Sequence, residues 1–449
     1  MGLMLNPRSL TGKLVTLVAL VTFMLAVYTY TSSTTSTFSL PKFSVFSKPR
    51  VRGSCAPQAW NAGHWEFNPA PTNLTQMTDR RDALQFAGFE GCASDREYFW
   101  HLASDTESQW DRWPAVTSWR WAPDAACDAR PLNGAEMLRD MVEDGGWLLM
   151  GDSITEGHFF SLSCLLSPHV RATPNYTENP YFDRAWPQNL YLNPASPLIA
   201  SFNLPAGFSI EHTPLVTFRR NDLLLSKDEL IALHREKYPP NATFELFSEE
   251  SFWSLSPQEY MALFTAPAPA GNYGTLIAST GGHWTTTLLH GFRDEAAGGD
   301  AGFGIAGVIG FFEHAMERWA REVQALLDAD RRANPRPGRR PRRVVVRAYT
   351  PGHEDCKDHR EPWRVYQPGR WKHYNWFWIK DYNQIFEKVL KSASFPDIFY
   401  LPIDNPALLR PDAHASGDCL HIMAGAGVLE GWSHYIWHFV SKELAGRIR

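Results

Sequence analysis

From residue 131 onward, short apolar runs rich in β-branched residues alternate with longer stretches of helical periodicity, and this alternation restricts the fold more than any other feature. It is the pattern of an α/β chain. The runs at 145–153, 210–218, 273–280, 342–350 and 395–403 are expected as strands, and 157–166, 227–237, 307–332 and 376–393 as helices. Several strands are apolar on both faces, as a parallel sheet covered by helices requires. With 44% hydrophobic residues among 449, there is material for a large core. The net charge of −5, from 43 Lys and Arg against 48 Asp and Glu, gives no sign of a nucleic-acid partner.

The N-terminus carries a different signal. Arg8 and Lys13 precede an uncharged, mostly aliphatic segment, 14–30. It would make about 26 Å of helix, near the lower limit for crossing a bilayer and long for a signal-peptide core. An uncleaved signal anchor is therefore favoured over a cleaved signal peptide, with a cytosolic tail 1–13 and the remainder lumenal. Residues 31–53, rich in Ser and Thr with Pro41 and Pro49, read as a stem. Lumenal placement agrees with the six cysteines (55, 92, 127, 164, 356, 419) and with the sequons at Asn73, Asn175 and Asn241.

Residues 54–130 are Cys- and Trp-rich with little periodicity, and read as an irregular, disulfide-stapled segment lying against the main domain 131–449. The strong basic cluster, 331–343, is interrupted by Pro335, Pro337 and Pro341, which favours an exposed loop over an anion-binding patch.

Within 148–166, Gly-Asp-Ser follows an apolar run and precedes helical spacing, so Ser153 falls at a helix start. A hydroxyl there can be a nucleophile beside unpaired N–H groups, or simply an N-cap. The surroundings are not Gly-x-Ser-x-Gly, so this is no ordinary α/β-hydrolase elbow. A base would have to come from elsewhere. Asp418 and His421 share a face of one turn, and a carboxylate there could orient the imidazole. Asp412 with His414 is a competing pair. The segments 279–285 and 347–356, each following a strand, could supply oxyanion donors and substrate contacts. No zinc-ligand motif and no phosphate-cradling glycine loop is evident, so neither a metal nor a bound cofactor is expected.

Taken in order, "SWRWAPDAACDAR", "GDSITEGHFFSLSCLL", "STGGHW", "VVVRAYTPGH" and "LRPDAHASGDCLHIMAGAGVLEGW" resemble the trichome-birefringence-like family of plants and its fungal relatives, within the PC-esterase group of the GDSL/SGNH superfamily. The resemblance covers roughly residues 54–440. It implies a flavodoxin-like, SGNH-hydrolase-like parallel sheet and polysaccharide O-acetylation in the Golgi lumen, with Ser153, Asp418 and His421 as the triad. It further implies an acetyl donor as co-substrate, acetyl-CoA or an acetyl carrier presented by a membrane partner, and a glycan acceptor. Asp152, Thr280, Gly281, Gly282, His283, Trp284 and Arg347 are then expected around the oxyanion and substrate. The chain departs from the plant pattern where Glu156 stands for the usual Arg, and where Thr280 and Gly281 stand for the usual Asn and Thr. An acetylesterase on the same triad, and a non-catalytic glycan-binding protein using the 18 Trp and 15 Tyr, are the competing readings. With Cys164 in the helix after Ser153 and Cys419 beside Asp418, disulfides would brace both halves of the triad. The expected set is Cys55–Cys127, Cys92–Cys164 and Cys356–Cys419, one of the many pairings six cysteines allow.

Overall fold

The computed structural model of the chain describes residues 21–22, 53–69, 72–94, 102–103, 107–173, 187–238, 244–294, 296–369, 373–415 and 418–444. Contacts divide it into two units, Met1–Arg50 and Val51–Arg449. In the first, the two described residues, Val21 and Thr22, are helical. Among the described residues no helix is long and apolar enough to cross a membrane. The expected tail 1–13, anchor 14–30 and stem 31–53 lie outside them apart from Val21, Thr22 and Gly53, as do the sequons at Asn175 and Asn241; Asn73 is exposed.

The strands of the second unit are β1 (His64–Phe67), β2 (Trp119–Ala122), β3 (Gly146–Gly151), β4 (Val170–Thr173), β5 (Gln188–Leu192), β6 (Val216–Arg220), β7 (Tyr273–Ser279), β8 (Arg343–Arg347) and β9 (Ile398–Leu401). The longer helices are α1 (Gly134–Glu143), α2 (Ser153–Leu165), α3 (Lys227–Lys237), α4 (Pro257–Thr265), α5 (Ile305–Ala333), α6 (Ile379–Leu390) and α7 (Val428–His438). Seven strands form one sheet in the order β4-β5-β6-β3-β7-β8-β9. The five from β6 to β9 are parallel, and β5 and β4 continue the edge antiparallel. Numbered among themselves in chain order, the parallel strands run 2-1-3-4-5. This is the order of a flavodoxin-like sheet, whose direction of winding switches between β3 and β7. Every residue of β3, β7 and β8 is buried, which is why these runs are apolar without alternation.

Register aligns the rim. Gly151 lies opposite Arg220 of β6 on one side and Ser279 of β7 on the other, so the loops leaving these three strands start level with one another. Helix α5 packs on α3, α4 and α6, while α7 packs on α2. The expected helix 227–237 has those bounds because Ser226 and Glu229 close a capping box. The strand expected at 210–218 instead begins at Val216 and runs to Arg220. Residues 209–213 close a turn, with Thr213 N–H bonded to Ser209 O, and Pro214 follows.

The N-terminal segment is held to the C-terminal part of the sheet unit. Its strands β1 and β2 pair antiparallel, and Trp65 Nε1–H donates to Pro406 O. The disulfides are Cys55–Cys127, Cys92–Cys164 and Cys356–Cys419, the expected set. With sequence separations of 72, 72 and 63, loop-closure entropy puts each at about 4 kcal/mol.

Candidate active site

Strand β3 delivers the chain to the rim through Gly151, where a Cβ would lie 2.3 Å from Thr155 Oγ1 and 2.5 Å from Ser279 O. Only glycine fits so close a crossing. Asp152 is the N-cap of α2, its Oδ1 accepting from Ile154 N–H at 3.0 Å. Because Asp152 does the capping, the Ser153 hydroxyl is left for another partner. That partner is His421, whose Nε2 lies 2.7 Å from Ser153 Oγ. His421 Nδ1 is hydrogen-bonded in turn to Asp418 Oδ2, while Asp418 Oδ1 accepts the Leu420 and His421 amides at 2.9 Å each. A carboxylate accepts, so Nδ1 carries the proton and Nε2 is the free acceptor that the Ser153 hydroxyl faces. Burial acts to raise the Asp418 pKa, but the bonds from His421 and the two amides outweigh it and hold the carboxyl below its ordinary value.

The turn carrying Asp418 and His421 is braced from behind. Cys419 has φ +55°, a conformation few side-chain-bearing residues adopt, and is fixed there by its disulfide to Cys356 and by His353 N–H donating to its carbonyl at 2.8 Å. The His421 carbonyl accepts from His414 Nδ1 at 3.2 Å, and His414 Nε2 meets His353 Nδ1 at 2.6 Å. Both His353 and His414 are buried; burial pushes His353 down to about 4 and His414 well below its ordinary value. Asp412 is committed to a buried two-point ion pair with Arg410, at 2.9 and 3.0 Å. Asp412 and His414 therefore do not pair with each other; they hold the loop that carries Asp418 and His421.

The remaining expected residues divide by burial. His283, a quarter exposed, lies at the rim with its Nε2 3.3 Å from Arg220 Nη2 and 3.7 Å from Asp222 Oδ1. Gly281 and Gly282 rest on the Tyr349 ring, and a Cβ on Gly282 would be 2.2 Å from the Tyr349 hydroxyl. Asp152, Thr280, Trp284 and Arg347 lie in the interior, each at 1% exposure or less. Asp152 Oδ2 accepts from Tyr349 O–H at 2.7 Å. The Thr280 hydroxyl donates to Asp222 O at 2.6 Å and accepts from Trp284 Nε1, so it has no proton left for an oxyanion. The Trp284 indole packs edge-on against Phe312 in the core, and Arg347 stacks over Trp432 at 3.8 Å. These four, expected around the substrate, are packed into the interior beneath the rim.

Other rim residues carry no obvious motif. Arg220 donates to Asp222 Oδ1 at 2.6 Å and stacks over Trp253 at 4.8 Å, while Asp222 Oδ2 takes the Trp253 amide at 2.9 Å. Asp222 thus joins the loops after β6 and β7 to the segment 244–256. Its signal, a polar Arg-Asn-Asp at a strand end, was legible only with the correct end of β6. Glu156 is buried in the first turn of α2 and accepts from the Gln188 amide at 2.7 Å. Among the described residues no cluster of three or more His, Cys, Asp or Glu side chains is arranged to hold a metal ion.

Fold and site together define an α/β chain with a Ser–His–Asp arrangement at the carboxyl ends of a doubly wound parallel sheet. No family model matches the chain, and no curated protein is similar to it. Among solved structures, Est24, a carbohydrate acetylesterase from Sinorhizobium meliloti, is similar over 44% of this chain and 73% of its own, at 11% identity and a TM-score of 0.24. A likeness so slight has no bearing on the chemistry.

Proposed function

We propose that the protein is a Golgi-anchored O-acetyltransferase that moves acetyl groups from a donor to polysaccharide hydroxyls through an acetyl-Ser153 intermediate. The observation that carries this reading is the relay from Ser153 Oγ to His421 Nε2 at 2.7 Å, with Asp418 bonded behind. His421 takes the Ser153 proton as Oγ attacks the acetyl carbonyl, and returns it to the leaving group of the donor when the tetrahedral adduct collapses. A sugar hydroxyl then gives its proton to His421 and attacks the acetyl-serine; collapse frees the ester, and Ser153 Oγ recovers the proton. The Ser153 N–H, at a helix start where amides lack intrahelical acceptors, and the 279–283 backbone are the oxyanion donors.

A second reading, hydrolysis on the same triad, is favoured by exposure: the Asp418 side chain is 33% accessible and His421 16%, so water reaches the base. The full chain incubated with acetyl-CoA or p-nitrophenyl acetate, with and without oligosaccharides, separates the two. Acetylated sugar marks transfer, and free acetate alone marks hydrolysis. Ser153→Ala should lower either rate by at least about a thousandfold; undiminished turnover would refute both.

A further inference from the structure

The basic segment 331–343 is largely exposed, as expected, but Arg336, Arg339, Arg340 and Arg342 are half-buried and Arg343 is buried. Helix α5 ends at Ala333, and the chain then turns under the amino ends of β3, β7 and β8, opposite the rim that carries Ser153. Strand β3 alone separates the two ends by about 20 Å. Five guanidiniums, Arg336, Arg339, Arg340, Arg342 and Arg343, converge there. The carboxylates that meet them are Asp330, held two-point by Arg342 at 2.8 and 2.9 Å, and Asp144, 3.5 Å from Arg340. Arg336, Arg339 and Arg343 instead donate to neutral oxygens: Arg336 to Asp144 O at 2.6 Å and Arg340 O at 3.3 Å, Arg339 to Asn272 Oδ1 at 2.7 Å, and Arg343 to Thr275 Oγ1 at 3.2 Å. The buried Nε of Arg339 has no hydrogen-bond partner among the described residues.

Arg336, Arg339 and Arg342 line a cavity of about 180 Å³ together with Asn272 and Asn334. Semi-buried like charges repel unless something of opposite sign sits between them. Burial, and then the neighbouring arginines, hold Arg336 down to about 9, against the smaller opposing pull of Asp144. Arg336 and Arg339 each keep N–H groups beyond those already engaged, in the planar fork that suits a tetrahedral oxyanion.

We propose that this cavity is a binding site for a phosphate or sulfate group, held chiefly by Arg336 and Arg339, at the end of the sheet opposite Ser153. The site takes a dianion of tetrahedral shape, either as the free ion or as an ester on a larger molecule. Arg342, already saturated by Asp330, Tyr273 O and Thr265 O, forms its wall. A single carboxylate offers one plane of acceptors, whereas phosphate or sulfate can accept from two guanidiniums at an angle to each other.

The test is calorimetric titration of the full chain with inorganic phosphate, and separately with a sulfated oligosaccharide, at constant ionic strength. Arg339→Gln and Arg336→Gln are compared with Arg332→Gln, an exposed arginine on the last turn of α5. Saturable binding of either probe, weakened at least about tenfold by Arg339→Gln and unchanged by Arg332→Gln, upholds the site. Phosphate binding identifies the free ion, and binding of the oligosaccharide alone identifies an ester. Should Arg336→Gln fold poorly, Arg339→Lys, which keeps the charge but loses the fork, should bind at an intermediate level. No saturable binding of either probe, or binding that Arg339→Gln leaves intact, overturns the proposal.

Discussion

At the residue scale, the chemistry turns on which hydroxyl and which carboxylate keep a free valence. Asp152 caps α2 and so leaves Ser153 to His421; Asp418 accepts three bonds within one turn. Asp418→Asn should leave the loop folded but favour the wrong imidazole tautomer, cutting turnover by about 10³–10⁴-fold in steady-state assays. The same carboxyl makes stability pH-dependent. Its pKa is depressed in the fold, so its contribution is present above the unfolded value near ~4 and is lost as pH falls through the lower folded value. The melting-temperature gap between wild type and Asp418→Asn should therefore be constant near neutrality and close below about pH 4; a gap that widened in acid would contradict this. Tyr349→Phe removes the bond to Asp152 and leaves a buried carboxylate oxygen unpaired. It should cost about 1–3 kcal/mol by denaturant unfolding.

At the element scale, the site is three loops on three strand ends plus one turn pinned to them. Gly282→Ala pushes a methyl into the Tyr349 hydroxyl, which cannot retreat without releasing Asp152. Turnover should fall by about tenfold or more while the sheet stays intact by circular dichroism. Much of this level was legible in the sequence. The runs over β3, β7 and β8 announced themselves because burial on both faces favours continuous apolar runs, β9 was marked by its aromatic and aliphatic residues, and Ser153, Asp418 and His421 were visible as short motifs. Strand β6 was read two residues short, which hid Arg220 and Asp222. Strands β4 and β5 lie at the sheet's antiparallel edge, with intermediate residues among the buried ones, and give short, weak patterns. Thr280, Trp284 and Arg347 looked like substrate contacts because a sequence shows which polar groups exist, not which are already engaged inside.

At the scale of the whole folded unit, the N-terminal segment is part of the site's foundation. Arg112, 5% exposed, donates to the carbonyls of Asp412 at 3.2 Å and His414 at 2.6 Å, and Arg410 donates to Val116 O at 2.6 Å. Residues some three hundred positions apart thereby fix the entry to the turn that carries Asp418 and His421. Arg112→Met should lose about 3 kcal/mol in urea unfolding and slow turnover, since two buried carbonyls lose their donor. Unchanged stability would show that the segment merely rests against the sheet. What unites the three scales is the claim that Ser153 is acylated. The most direct measurement is peptide mass spectrometry of the full chain after brief exposure to p-nitrophenyl acetate or acetyl-CoA. An acetyl adduct on the Ser153 peptide, absent in Ser153→Ala and slow to form in His421→Ala, is the expected result; turnover proceeding with the adduct on another residue, or with none, would contradict it.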